Sequence, residues 1–139
     1  MKSVVFGQHR HLVVFDPGEE VVAGLKAFGR DRSLVGASFQ AIGAFERSTI
    51  AYFDLATKRY EEHPVEEQVE VASLIGNLAW FDDEVRCHAH VVLGRRDASA
   101  LAGHLIAGYV RPTLEVMLVA TEVRLERRLD PATGLPLFN

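Results

Sequence analysis

The chain has 139 residues and a formal net charge of −4, with 48% hydrophobic and 24% charged residues. This composition is typical of one globular domain over residues 1–139, and it excludes collagen, a coiled coil, a disordered chain and a disulfide scaffold. The acidic balance also argues against a large non-specific nucleic-acid interface, which would need clustered lysine and arginine residues.

Two short β-rich runs open the chain, at residues 4–6 and 12–15. They are followed by the only convincing helix. Asp16 is suited to the N-cap, Pro17 to the first helical position, and Glu19 would complete a capping box with Asp16. Apolar residues then recur at helical spacing until Gly29, which is a typical stop. The pattern predicts one amphipathic helix over residues 17–29 that packs on a sheet.

The rest of the chain is predicted to form strands, at residues 37–45, 48–54, 58–63, 69–80, 86–93, 100–109 and 113–125. The first two are expected to form a hairpin, and the third is expected to be an edge strand that Pro64 ends. Gly76 is expected to mark a bulge or a close approach, and the last ten residues are expected to be irregular. One helix and many strands without βαβ alternation indicate an α+β domain with a mainly antiparallel sheet.

Three of the six histidines form a pattern that can bind a metal. On a strand, His88 and His90 point to the same face, with their Cα atoms roughly 6.5–7 Å apart. A turn at residues 94–99 would bring His104 back on the adjacent strand. Three imidazoles suit zinc or another divalent transition metal and leave a coordination position open. The spacing therefore suggests a metal site at His88, His90 and His104, although a His-x-His pair on a strand is also a common surface feature.

The remaining chemistry-bearing residues have alternative interpretations. Cys87 is interpreted as a buried small hydrophobic residue rather than a fourth ligand. Glu115 and Glu70 are candidates for a general base or for a carboxylate that orients an imidazole, and both could equally be structural charges. The other histidines are interpreted as surface residues: His9, His11 and His63.

Taken in order, these motifs resemble the plants and prokaryotes conserved (PPC) domain family. The family's pattern is a glutamate and a Ser-Leu-x-Gly run, then His-x-His, then Gly-Gly-His-Leu, and a glutamate in the final strand. The matching positions here are Glu70 to Leu78, His88 to His90, Ala102 to Leu105, and Glu115. Ala102 departs from the pattern, since it stands where the family has the first glycine.

The resemblance implies several properties that the residues alone do not. It implies a homotrimer, a metal at His88, His90 and His104, and a fold similar to that of acetolactate decarboxylase, whose zinc is bound by a His-x-His pair and a third histidine. Plant members of the family bind A·T-rich DNA through an AT-hook, which needs Arg-Gly-Arg, and this sequence has none. Direct DNA binding is therefore disfavoured.

These observations lead to three functional hypotheses. The first is a homotrimeric metal-binding protein that binds a small molecule or serves a regulatory interaction. The second is a metal-dependent enzyme, such as a lyase acting on a small oxo-acid, and the third is a DNA-associated regulatory protein. The single cysteine, Cys87, favours a reducing, cytoplasmic location, and a membrane association is not expected because no apolar run approaches roughly 20 residues.

Overall fold

The computed structural model describes residues 1–138, which contain one helix, α1 (Val21–Asp31), and nine strands. The strands are β1 (Lys2–Val5), β2 (Arg10–Phe15), β3 (Ala37–Asp54), β4 (Arg59–Val65), β5 (Val69–Phe81), β6 (Glu84–Gly94), β7 (Ala100–Ala120), β8 (Arg128–Leu129) and β9 (Pro136–Leu137). Every pairing between these strands is antiparallel. The predicted α+β class with a mainly antiparallel sheet is confirmed.

Four strands pair in a closed ring. β3 pairs with β5, β5 with β6, β6 with β7, and β7 returns to pair with β3. The ring closes because β7 is long enough to contact different neighbours along its length. Its N-terminal part lies between β6 and β3, and its C-terminal part lies between β3 and β2. β1 extends the sheet from β2, and β4 pairs only with β3.

The hydrophobic core fills this ring, since side chains alternate along each strand and every second one points inward. The largest fully buried side chains are Phe15, Phe45, Leu25, Leu74, Leu78, Leu93, Leu114 and Leu118. α1 packs against β5, β6 and β7 and buries Val21, Leu25 and Phe28. Within residues 1–138, no helix is long and apolar enough to cross a bilayer.

The helix begins and ends later than predicted. Its N-cap is Glu20, whose carboxylate accepts hydrogen bonds from the backbone N–H groups of Val22 (2.9 Å) and Ala23 (2.7 Å). Asp16 is not the cap, because Gly18 has a φ of +85° and its backbone N–H donates to Val110 of β7 instead. Gly29 does not end the helix. A Cβ there would lie 3.0 Å from Leu78 Cδ1, so this glycine lets the helix approach the sheet.

Two predicted breaks in the strands were wrong. Residues 37–45 and 48–54 are one strand, β3, rather than a hairpin, because both halves pair with β7 and register shifts near residue 45 absorb the bend. Residues 100–109 and 113–120 are likewise one strand, β7, which continues through a cis Arg111–Pro112 bond. Residues 121–125, predicted to extend the later strand, lie beyond its end.

The predictions for the edge strand, for Gly76 and for the C-terminal residues were partly right. The edge position of β4 is confirmed, although Pro64 pairs opposite Thr49 within the strand rather than ending it. Gly76 is a point of close approach, and the bulge between β5 and β6 lies at residues 71–73 instead. The C-terminal residues form a short β8–β9 hairpin rather than an irregular tail.

Candidate metal centre and the adjoining cleft

Two neighbouring strands bring the three predicted histidines together. His88 and His90 lie on β6, and His104 lies on β7 directly opposite His90. One potential ligand atom from each histidine lies within 4.8 Å of those of the other two, and the ring centroids are 5.2–5.5 Å apart. His88 and His90 point away from the core because Ala89 occupies the buried face of β6, and His104 does so because Leu105 occupies the buried face of β7. Side-chain rotation can close this spacing around one ion, whose Zn–N bonds are about 2.0–2.1 Å.

The electrostatics keep two of these imidazoles neutral. Burial, together with a smaller repulsion from His88 and His90, lowers the pKa of His104 to about 4. Burial also lowers the pKa of His88, with added repulsion from Arg127 and His90. A neutral imidazole is the form that binds a metal. In addition, the Nδ1 atom of His104 is buried and has no hydrogen-bond partner within residues 1–138. The donor set therefore fits a divalent transition metal.

Arg127 lies against this cluster and is only 7% exposed. Its Nη2 donates to Asn77 Oδ1 at 2.8 Å and lies 3.3 Å from His88 Nδ1, while its Nη1 donates to the Pro136 carbonyl at 3.0 Å. Its guanidinium also stacks on the ring of Phe138, 4.2 Å from the ring centroid. Because a guanidinium carries donors only, His88 Nδ1 is the acceptor in this contact.

The backbone of β5 positions Arg127. The backbone N–H of Trp80 donates to the Leu125 carbonyl, and the backbone N–H of Arg127 donates to the Trp80 carbonyl, both at 2.8 Å. The indole Nε1 of Trp80 in turn donates to the Leu34 carbonyl at 2.9 Å. The segment after β7 is therefore attached to the sheet beside the histidines. The β8–β9 hairpin then follows and covers one side of the cluster.

A cleft of about 340 Å³ adjoins the histidines. Its lining residues are Tyr60, Phe81, Arg86, Cys87, His88, His104, Arg127, Leu135, Pro136 and Leu137. The Tyr60 ring stacks on His104 with centroids 4.9 Å apart, and burial raises the pKa of the Tyr60 phenol. Among the described residues, no aspartate or glutamate lines the cleft. Its walls are thus apolar and cationic.

The two candidate carboxylates lie elsewhere. Glu115 is on the exposed face of β7, eleven residues beyond His104, and is opposite Val14 and Ile42. Glu70 is on β5 opposite Gly94. Within residues 1–138, neither forms a hydrogen bond or an ion pair with a histidine of the cluster. The structure does not bring them to the metal centre, and a catalytic role for either stays a prediction.

The other histidines and Cys87 are placed as follows. His63 is exposed on the edge strand β4, as expected, and His9 is also exposed. The surface interpretation of His11 was wrong: it is 8% exposed on β2 and packs edge-on against Phe28. Burial raises the pKa of the Cys87 thiol to about 12, as suits a thiol packed against the core.

Sequence reasoning did not find Arg127, Tyr60 or Asn77. Residues 124–128 carry charges of both signs, and no local motif distinguishes Arg127 from its neighbours. Its position depends on hydrogen bonds to β5, which local patterns do not encode. Tyr60 stands in a polar edge strand, and its ring reaches His104 across β3, which lies between β4 and β7.

A family model described as the Plants and Prokaryotes Conserved (PCC) domain matches residues 3–122. Three solved structures are similar over nearly the whole length of both chains. A candidate DNA-binding protein from Bacteroides thetaiotaomicron has 30% identity and a TM-score of 0.95, covering 99% of this chain and 96% of its own. A metal-containing protein from Archaeoglobus fulgidus has 31% identity and a TM-score of 0.89, covering 100% and 99%. A PPC protein from Pyrococcus horikoshii has 30% identity and a TM-score of 0.88, covering 98% and 97%.

The predicted likeness to the acetolactate decarboxylase fold is also confirmed. The enzyme from Bacillus subtilis subspecies spizizenii has 8% identity and a TM-score of 0.60, covering 92% of this chain and 60% of its own. At that identity the likeness concerns the fold alone. No curated protein matches the chain significantly.

Proposed function

Since the chain belongs to the Plants and Prokaryotes Conserved domain family, whose model spans residues 3–122, we propose that it is a homotrimeric metal-binding protein. In this proposal His88, His90 and His104 hold one divalent transition metal ion, with zinc as the first candidate. The adjoining cleft then receives a small molecule, which gives the protein a binding or regulatory role. The observation that carries the proposal is the cluster of three imidazoles with one potential ligand atom of each within 4.8 Å of the others.

Two further observations support the metal. Within residues 1–138, the buried Nδ1 atom of His104 has no hydrogen-bond partner, and buried polar atoms without partners are rare in folded proteins. A relative with 31% identity over the whole chain is described as metal-containing. When bound, the ion would polarise a ligand carbonyl or lower the pKa of a bound water. The chain itself supplies the three imidazoles, the Tyr60 ring against His104, and the Arg127 guanidinium.

Zinc binding is tested by calorimetric titration of the protein after treatment with a chelator. The wild type is expected to bind one zinc ion per chain, and His104→Ala is expected to lose most of the affinity. His63→Ala is the matched control, because His63 is exposed on β4. Equal zinc affinity in all three proteins would contradict the proposal.

The trimer is supported by an exposed apolar surface beside the histidines. Ile75 on β5 is 60% exposed and pairs directly with His90, while Ile42 and Met117 on the neighbouring strands are 61% and 42% exposed. Grouped apolar residues of this kind mark interaction surfaces in soluble proteins. A symmetric contact between copies of the chain would bury them and also the long sheet edges.

Light scattering after gel filtration tests the trimer. The wild type is expected to elute with three times the mass of one chain, and Ile75→Asp is expected to shift toward the monomer. Leu55→Asp is the control, since Leu55 is 70% exposed in a turn. A wild-type monomer, or an Ile75→Asp trimer as stable as the control, would contradict this part of the proposal.

The enzyme hypothesis, a lyase acting on a small oxo-acid, is the alternative. A cleft beside the histidines favours it, whereas the lining of that cleft has no carboxylate to act as a general base within residues 1–138. The DNA-associated hypothesis ranks third, because the net charge is −4, although one similar structure is a candidate DNA-binding protein. Tight binding of duplex DNA at physiological salt would reverse this ranking. The reducing, cytoplasmic location stays a prediction based on the single cysteine.

A further inference from the structure

We propose that the cleft recognises a small organic carboxylate and that Arg127 is the residue that binds its anionic group. This inference rests on the proposed metal site, since the metal and the guanidinium would flank the same ligand. It goes further by assigning the charge and chemical class of the ligand. Three observations carry it: a buried cation that has no counter-ion among residues 1–138, its hydrogen bond to His88, and the lining of the cleft.

The first observation is that Arg127 is buried without a counter-ion among residues 1–138. It is 7% exposed, its Nε atom has no hydrogen-bond partner among the described residues, and its other hydrogen bonds are to a neutral amide, a carbonyl and an imidazole. No carboxylate within residues 1–138 forms an ion pair with it. Arg86, which also lines the cleft, differs because Glu84 pairs with it at 3.2 Å. A buried charge is costly unless an opposite charge accompanies it.

A divalent ion at the histidines would increase this imbalance. The three ligands would be neutral imidazoles, so the charge of the ion would remain uncompensated by the protein. Arg127 would add a further positive charge next to His88. An anionic ligand is the simplest group to neutralise both, and a guanidinium is suited to a carboxylate because its parallel N–H groups match the two oxygens.

The hydrogen bond between Arg127 and His88 gives the second observation. His88 Nδ1 accepts from Arg127, so the neutral ring carries its proton on Nε2. A metal bound through Nδ1 would occupy the accepting lone pair. A metal bound through Nε2 would leave the ring proton on Nδ1. The His88 Nδ1–H group and the Arg127 N–H group would then both be donors and would face each other. In either case, the N–H group of Arg127 that faces His88 would lose this acceptor and would need another.

The lining of the cleft indicates the rest of the ligand. Its volume of about 340 Å³ is near the lower end of the roughly 300–1,000 Å³ that is usual for small-molecule sites. Phe81, Leu135 and Leu137 give it an apolar wall. An inorganic anion would leave that wall uncovered, whereas a carboxylate with a short carbon skeleton would contact it.

The test uses the zinc-loaded full chain and calorimetric titration with pyruvate, a small 2-oxo carboxylate. Its neutral analogue pyruvamide and inorganic phosphate serve as comparison probes. The variants are Arg127→Gln, Arg127→Lys and the control Arg111→Gln, which alters an exposed arginine paired with Glu46. Zinc content and thermal unfolding are measured first on every variant.

We expect pyruvate to bind more tightly than pyruvamide or phosphate. Arg127→Gln should weaken pyruvate binding by about 10-fold to 100-fold, the usual effect of losing a hydrogen bond to a charged group, while zinc is retained. Arg127→Lys should recover part of the affinity, and Arg111→Gln should equal the wild type.

Failure of the inference and failure of the metal site are distinguishable. If the wild type holds no zinc, the proposed function fails before any anion is added. If zinc binds but pyruvate does not, or pyruvate binds equally to Arg127→Gln, the inference is overturned. Tighter binding of phosphate would overturn the carboxylate class. Loss of zinc from Arg127→Gln alone would also overturn it, because Arg127 would then support the metal ligands instead.

Discussion

Gly76 on β5 sets the distance between β5 and the metal-binding segment of β6, so its replacement by alanine should damage a site to which it contributes no ligand. Gly76 pairs with Ala89, the residue between His88 and His90. A Cβ built on Gly76 would lie 2.4 Å from the His88 carbonyl oxygen and 2.5 Å from Phe39 Cζ. Rotation of the buried Phe39 ring about its own axis would leave Cζ in place. The carbonyl cannot move without its strand.

The size of the effect follows from these distances. Ordinary contact begins at 3.4 Å, so β6 must move by about 1 Å at His88. Such overpacking typically costs about 1–3 kcal/mol of unfolding free energy. Metal–ligand distances tolerate only about ±0.2 Å, and disturbance of groups that support metal ligands costs about 10-fold to 100-fold in affinity. Gly76→Ala should show both losses.

Urea unfolding and competition for zinc with a chromophoric chelator measure the two losses. Gly94→Ala is the matched control, because it lies on β6 and its Cβ would be 3.7 Å from its nearest neighbour, Glu70 Cβ. The control should keep wild-type stability and affinity. The reasoning would be refuted if Gly76→Ala bound zinc as tightly as Gly94→Ala.

Two further predictions concern groups outside the metal ligands. Burial, with repulsion from Arg32 and His9, lowers the pKa of His11 below 6.5 in the folded state, so the unfolded chain takes up a proton first as the pH falls below about 6.5. The free energy of unfolding of His11→Gln should therefore fall less steeply with decreasing pH than that of the wild type. The two slopes should differ by at most about 1.4 kcal/mol per pH unit. A slope for His11→Gln equal to the slopes of the wild type and of His63→Gln would contradict this prediction. Burial raises the pKa of the Cys87 thiol to about 12. Iodoacetamide should therefore modify this thiol far more slowly in native protein than in urea-unfolded protein at pH 8. Equal rates in the two states would show that Cys87 is accessible in the native protein.

The sequence predicted those features of the fold and of the histidine cluster that depend on local periodicity. Alternation along β6 placed His88 and His90 on the outward face, because side chains on a strand have a period of two. The turn at residues 94–99 brought His104 opposite His90, since Arg95 and Ser99 close that turn with a backbone hydrogen bond of 2.8 Å. The fold class followed in the same way, from one helical stripe among many β-rich runs.

The predictions failed where long-range pairing decides the structure. Asp16, Pro17 and Glu19 have the residue types of a helix start, yet the segment pairs with β7 and the helix begins at Val21. Residues 100–109 and 113–125 were predicted to be separate strands, although β7 runs through residues 110–112 and pairs with β2 and β3 beyond them. Arg127 and Tyr60 reach the site through contacts distant in sequence, and no local pattern signals them.

The most direct test of the central claim is the coordination of the bound metal. X-ray absorption of protein loaded with one zinc ion per chain should show three imidazole nitrogens at about 2.0–2.1 Å. The triple variant of His88, His90 and His104 to alanine should not retain zinc after gel filtration, whereas His63→Ala should retain it. An absorption spectrum without imidazole scattering, or zinc retained by the triple variant, would contradict the assignment of the metal to these histidines.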